Sequence, residues 1–227
     1  MGGRANGAKP ITKAGRTRTL ILEAAERRFS QLGFADTRLE DIAEDVGVKR
    51  AALFYHFRDK RALYDAVVED VFGGLLARIE AILDGPGSVA GRFEGAVDAW
   101  VDALAARPSM ARILLREAAG VRPEVDPSTA ARAEPFLQRT RRLLAEGQRT
   151  GELSPIRPDP FHVISAVVGF TVFYLAALRS LLPAVDFDPL DAKELDAHKR
   201  DVRRVAQRLL GIGLPHLVPG RSRSTTR

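Results

Sequence analysis

From Leu20 onward the apolar positions recur at helical spacing. Leu22, Ala25, Phe29 and Leu32 fall on one face of a first predicted helix, which Gly33 ends as a C-cap residue would. A second helix is expected from residue 37, with Thr37 as N-cap and Glu40 three residues on completing a capping box. Leu39, Ile42, Ala43 and Val46 form its apolar face, and Gly47 breaks it. A short third helix begins near Lys49, anchored by Leu53, Phe54 and Phe57. Asp59 stands where it can cap a fourth helix, whose stripe is Leu63, Val67, Asp70 or Val71, and Leu75.

Further helices are expected at about 88–106, 108–119, 127–150, 159–182 and 192–213. Gly85-Pro86-Gly87, Arg107-Pro108 and the Pro-rich run 154–160 separate them, and the acidic segment 186–191 reads as a loop. Strand-like alternation never exceeds a few residues, and there is no repeat or heptad array. The expected fold class is therefore all-α. A three-helix unit at residues 17–72 follows a flexible basic arm at 1–16. A larger helical unit at 73–218 precedes a basic tail at 219–227.

Charge sharpens this division. The 227 residues carry a net charge of +6 with a pI of about 10.0. Residues 1–60 hold twelve Lys/Arg against eight Asp/Glu, residues 61–220 are almost balanced, and the last seven hold three Arg and no acid. Basic ends around a neutral middle fit a polyanionic partner, and equally fit ordinary solvated tails. The absence of cysteine excludes disulfides and thiolate chemistry. No apolar run marks the N-terminus as a secretory signal, so the expected compartment is the cytoplasm.

The informative stretch is 37–60, TRLEDIAEDVGVKRAALFYHFRDK. Two short helices joined by a Gly-containing turn make a helix-turn-helix, with the motif at 38–57. Ala43 is small where the helices must cross closely. Gly47 can take the left-handed turn without a Cβ penalty, and Ile42, Val48 and Leu53 can lock the pair from beneath. The third helix then presents Lys49, Arg50, Ala51 and Ala52 at its N-terminal end, the part of a recognition helix that meets base edges. Lys49 and Arg50 can donate to guanine or phosphate, while the two alanines permit close approach and methyl contact with thymine. Tyr55, His56 and Lys60 lie just beyond, in reach of phosphates. The arm residues Arg4, Lys9, Lys13, Arg16 and Arg18 could enter a minor groove or remain free.

Residues 18–69 resemble the N-terminal DNA-binding domain of the TetR family. The likeness is carried in register by Ile21-Leu22-Glu23-Ala24-Ala25, Phe29, Gly33-Phe34, Thr37, Asp41-Ile42-Ala43, Gly47-Val48, Leu53-Phe54-Tyr55-His56-Phe57, Lys60 and Leu63. The resemblance implies that Arg38, Lys49, Arg50, Ala51, Ala52, Tyr55, His56 and Lys60 touch DNA. It also implies a homodimer on a near-palindromic operator and a ligand-responsive repressor. The chain departs from the family pattern in having Lys49, Ala51 and Ala52 where Ser, Gly and Thr are usual, and Phe54 where Tyr is frequent. These changes remove hydroxyl contacts to phosphate and add a charge, so no operator preference carries over.

In such proteins the remainder binds ligand and dimerises. Run 161–178, FHVISAVVGFTVFYLAAL, just reaches membrane-spanning length. The preferred reading is a helix apolar all round because it faces both its own subunit and a partner. Small Ala166, Gly169, Ala176 and Ala177 suit close packing. The helix at 192–213 would join it through Leu195, Val202, Val205, Ala206, Leu209 and Leu210. Candidate pocket residues are Phe93, Val97, Trp100, Leu104, Met110, Leu114, Phe136, His162, Phe170, Phe173 and Tyr174, with ordinary core as the alternative role of each. Their effector would be a small lipophilic or aromatic molecule.

No P-loop, dinucleotide signature, HExxH or G-x-S-x-G occurs, and the four histidines lack metal-ligand spacing. Neither catalysis, a metal nor a cofactor is expected. Two other readings compete: a DNA-binding regulator gated by a protein partner, and a ligand sequesterer that no longer binds DNA.

Overall fold

A computed structural model describes residues 12–119 and 127–213. The basic tail and most of the basic arm, with Arg4 and Lys9, lie outside the described residues. Among the described residues there are ten helices and no strand, as the all-α expectation requires.

Helix α1 (Lys13–Asp36) begins well before Leu20. Thr12 caps it, its hydroxyl accepting from the Gly15 N–H at 3.1 Å. Lys13, Arg16 and Arg18 are thus helical and no part of a free arm. The leading turns are largely exposed, so they carried no apolar signal. Arg18 stacks its guanidinium over the Phe57 ring at 5.1 Å. Gly33 breaks the helical geometry with φ 84° and ψ 175°, a conformation that favours glycine.

The expected capping box does not form. Thr37 is buried and donates its hydroxyl backward to the Gly33 carbonyl at 2.7 Å. Arg38 takes the N-cap position of α2 (Leu39–Val46) without a side-chain cap, and Glu40 pairs with Arg50 at 2.8 Å. The helix starts one residue later than the capping-box spacing implies, so Thr37 stands ahead of the N-cap position. Gly47 adopts φ 72° and ψ 32°, and its N–H closes α2 onto the Ala43 and Glu44 carbonyls.

Helix α3 (Arg50–His56) buries Leu53, and Phe57 is buried at its C-cap. Phe54 is 43% exposed, and Leu32 on α1 is exposed as well, so neither anchors the core. In α3 a residue next to Leu53 points about 100° away from it, and the Phe54 ring carries the Arg50 guanidinium at 5.3 Å. Helix α4 (Lys60–Leu83) starts as expected: Asp59 Oδ1 accepts from the Ala62 N–H at 2.8 Å. Its buried stripe is Leu63, Val67, Val71 and Leu75, with Asp70 turned out.

The described residues divide into two compact units, the first ending at Gly73 and the second starting at Gly74, so the boundary falls inside α4. In the first unit Phe29 meets Tyr64 edge-on at 4.9 Å, and Phe34 meets the same ring at 5.2 Å. Arg28 grips Asp45 through two hydrogen bonds of 2.6 and 2.7 Å, tying α1 to α2. This bidentate grip holds the Asp45 carboxyl below its ordinary range.

The second unit contains α5 (Val89–Ala106), α6 (Ser109–Ala119), α7 (Pro127–Thr150), α8 (Phe161–Ala176), α9 (Leu178–Leu181) and α10 (Ala192–Leu210). The single helix expected at 159–182 is broken at Ala177. Helix α8 packs on α5, α6 and α10. A polar ladder joins α5 to α10: Asp102 to Lys199 at 2.7 Å, Asp98 to Arg203, and Glu94 to Gln207 at 2.7 Å. Residue numbers descend on one helix as they rise on the other, so the two run antiparallel. Ser154 and Ile156 donate their N–H groups to the Leu210 and Leu209 carbonyls at 3.0 and 2.9 Å. A Cβ on Gly211 would lie 2.0 Å from the Ser154 carbonyl oxygen, which makes glycine necessary there.

Candidate DNA-reading helix and ligand cavity

The outer face of α3 follows from its length and its anchors. Leu53 and Phe57 hold one side down, so the residues between and before them turn outward. Lys49, at the N-cap, and Arg50 and Ala51 are exposed, while Ala52 and His56 are half-buried. Tyr55 is 80% exposed, with its ring edge-on to His56 at 5.0 Å. A tyrosine so exposed on a short helix gains nothing from the core. Among the described residues neither Lys49 nor Arg38 has an ion-pair partner, and both are exposed. Arg50 is held by Glu40, but both side chains are well exposed and such a pair costs little to open.

Lys60 is differently placed from the other candidates. Its Nζ donates to the Ala35 carbonyl at 3.0 Å and sits 4.7 Å above the Phe34 ring. It joins the end of α1 to the start of α4, a contact that the sequence pattern did not suggest.

The second unit contains an apolar cavity of about 170 Å³. Leu76, Ile79 and Leu83 of α4 line one side; Phe93, Ala96, Val97 and Trp100 of α5 line another. Phe136 and Thr140 of α7 and Val163, Ile164, Val167 and Val168 of α8 complete it. No charged side chain is among these residues. Thr140 spends its hydroxyl proton on the Phe136 carbonyl at 2.9 Å.

Of the residues proposed from sequence, Phe93, Val97, Trp100 and Phe136 meet at this cavity. Leu104 and Met110 are fully buried but do not line it, and Leu114 is half-buried apart from it. His162 is exposed beside Asp159, with Nδ1 3.4 Å from that carboxylate. It edges a smaller hollow of about 50 Å³ near Leu144 and Leu210. Phe170 and Phe173 are exposed on α8. Tyr174 is half-buried, stacked on His198 with ring centroids 3.9 Å apart. Phe170 and Tyr174 share the Val163–Val167 face at helical spacing but lie farther along α8, where His198 packs on both, and Phe173 turns away from that face. An all-apolar helix gives no sequence signal of which face turns inward. The cavity also takes Leu76, Ile79 and Leu83 from α4, beyond the Leu63–Leu75 stripe read from the sequence.

Among the described residues no helix is long and apolar enough to cross a membrane, and no cluster of residues fits a metal ion.

Comparison with known proteins bears on both units. A family described as "Bacterial regulatory proteins, tetR family" matches residues 21–67, and one described as "Tetracyclin repressor-like, C-terminal domain" matches residues 91–205. The HTH-type transcriptional regulator RutR of Escherichia coli is 31% identical over 154 residues, 68% of this chain and 71% of that protein. The HTH-type transcriptional regulator TtgR of Pseudomonas putida is 46% identical over 59 residues, 26% of this chain and 28% of its own. The structure of the ketosteroid transcriptional regulator KstR2 of Mycobacterium tuberculosis superposes with a TM-score of 0.67 at 21% identity, over 92% of this chain and 97% of that one. With matches spanning both units and most of the length, the chain belongs to the TetR family of DNA-binding transcriptional regulators.

Proposed function

We propose that this regulator is a homodimeric repressor. It inserts α3 of each subunit into successive major grooves of a near-palindromic operator, about 34 Å apart. The observation that carries the reading is the outer face of α3, where Lys49, Arg50, Ala51 and Tyr55 stand exposed above the buried anchors Leu53 and Phe57. Lys49 and Arg50 supply donors for guanine edges or phosphate, and the alanines admit the groove wall. Arg38, Tyr55 and His56 contact phosphate and fix register. Lys60 contributes mainly by holding α1 against α4.

Dimerisation uses the exposed apolar face of α8, with Phe161, Phe170 and Phe173 around the open surface at Gly169, together with half-buried Leu195, Val205 and Leu209 of α10; Val202, Ala206 and Leu210, expected at the interface, are instead buried within their own subunit. The cavity accepts a small apolar effector. Helix α4 begins beside the recognition helix, where Asp59 caps it, and ends with Leu76, Ile79 and Leu83 on the cavity wall. A ligand that displaces these side chains shifts α4 and weakens DNA binding. Coupling of about 1–3 kcal/mol is typical of such linked sites.

The test is selection of binding sites from a random duplex library by the full chain and by a Gly169→Arg variant. A Cβ at Gly169 meets no atom within 4 Å in its own subunit, so a side chain there leaves the helix from open surface. The native chain is expected to enrich two inverted half-sites. The variant is expected to sediment as a monomer and to lose that enrichment. A single half-site selected by the native chain, or an unaltered dimer in the variant, contradicts the proposal.

A further inference from the structure

The cavity of the second unit is larger than core packing leaves. Native interiors hold few voids bigger than a water molecule, whereas this one has a volume of about 170 Å³. Apolar side chains line it at every depth. Phe93, Val97 and Val167 are buried, while Leu76 is exposed and Phe136, Ile164 and Val168 are half-buried toward the surface. Two lining residues, Thr140 and Trp100, carry a polar side-chain group, and neither presents it to the space. Thr140 is 2% exposed and donates its hydroxyl to the Phe136 carbonyl at 2.9 Å. The Trp100 indole nitrogen is itself fully buried.

We infer that the effector is a hydrocarbon of about one ring, with neither a charge nor a hydrogen-bonding group. This rests on the reading of the cavity as the effector site and narrows it to a chemical class. Size follows from the volume, since dry apolar cavities of about 150 Å³ hold a molecule the size of benzene. An ionised carboxylate or amine would lose its water with no counter-charge among the lining residues. A neutral hydroxyl or carbonyl would also give up its bonds to water and find no exposed partner in the wall. Leu76, Phe136, Ile164 and Val168 offer it none nearer the surface. Affinity therefore comes from the burial of apolar surface alone, and each polar substituent weakens it.

The experiment titrates the full-length native protein calorimetrically with toluene, p-cresol, benzoate and naphthalene. Toluene is expected to bind about ten-fold more tightly than p-cresol, which adds one hydroxyl to the same ring. Benzoate is expected not to bind. Naphthalene has more apolar surface, yet is expected to bind no more tightly than toluene because its second ring exceeds the space. A Val167→Phe variant, whose added ring fills the cavity, should lose toluene binding, and Thr140→Val should leave the affinity for p-cresol unchanged. If p-cresol or benzoate binds as tightly as toluene, or p-cresol weakens in Thr140→Val, the chemical class is overturned while the cavity stands as an effector site. Tighter binding of naphthalene overturns the size. If toluene does not bind at all, the class fails together with the effector reading. If toluene binds in the expected order but leaves affinity for the selected inverted repeat unaltered, the class stands and the effector reading fails. The comparisons among ligands are made in the native chain, so they hold even where a variant does not fold.

Discussion

His198 shows what a single burial does to a titratable side chain. It is buried on α10 between Tyr174, stacked on it at 3.9 Å, and Phe170, edge-on at 4.8 Å. Its Nε2 has no hydrogen-bond partner among the described residues. Burial pushes its pKa from the ordinary 6.5 down to about 4, against a smaller opposing pull from Asp201. The folded protein therefore keeps this ring neutral where the unfolded chain protonates it. Its contribution to stability is complete above pH 6.5 and declines as the pH falls toward 4. Asp45 and Asp59, both held below 3.8, act in a separate and more acid window. Urea unfolding at pH 7.5 and pH 4.5 should show a loss of midpoint in the native chain that is smaller in His198→Leu. An equal loss in both would remove His198 from the account.

At the scale of elements, α4 carries two adjacent glycines, Gly73 and Gly74, within a helix of 24 residues. The boundary between the compact units falls between them. Glycine in a helix interior costs roughly 0.5–1 kcal/mol relative to alanine. A Cβ at Gly74 meets nothing within 4 Å, whereas one at Gly73 meets the Glu69 carboxylate at 2.6 Å. Gly74→Ala is thus expected to raise stability by about 0.5–1 kcal/mol in denaturant titrations, and Gly73→Ala by less. A loss of stability in Gly74→Ala would mean that α4 needs the flexibility of glycine in its folded form.

Much of the element plan was readable from local chemistry. Gly47, Asp59 and the Leu63–Val67–Val71–Leu75 spacing each determine a local outcome, because a left-handed turn, an N-cap and a helical stripe require particular side chains at particular steps. The start of α1 was missed because a polar, exposed first turn has no apolar period. The Thr37–Glu40 capping box failed because α2 starts one residue later than the spacing implied, which puts Arg38 at the N-cap and leaves Thr37 to donate to the Gly33 carbonyl. The cavity was half legible. Aromatic residues on α5 and α7 pointed to it, but which face of α8 and α4 turns inward depends on packing between helices distant in sequence.

For the whole molecule, the division of charge matches the division of labour proposed for it. The first sixty residues hold twelve Lys/Arg against eight Asp/Glu and the exposed face of α3, whereas the helices of the second unit pair charges with one another, as the α5–α10 ladder does. Loss of phosphate contacts weakens binding to all sequences, whereas loss of groove contacts weakens binding to the operator alone. Substitutions at Lys49 and Tyr55 therefore separate specific recognition from general attraction of a basic protein to DNA.

The most direct test is sequencing of genomic fragments captured by the purified full-length protein, beside a Lys49→Ala/Tyr55→Ala variant. The account predicts one short inverted-repeat motif enriched by the native protein and lost in the variant. Enrichment without a motif, equal for both proteins, would contradict it, because DNA would then be held by charge alone and α3 would not be the reading element.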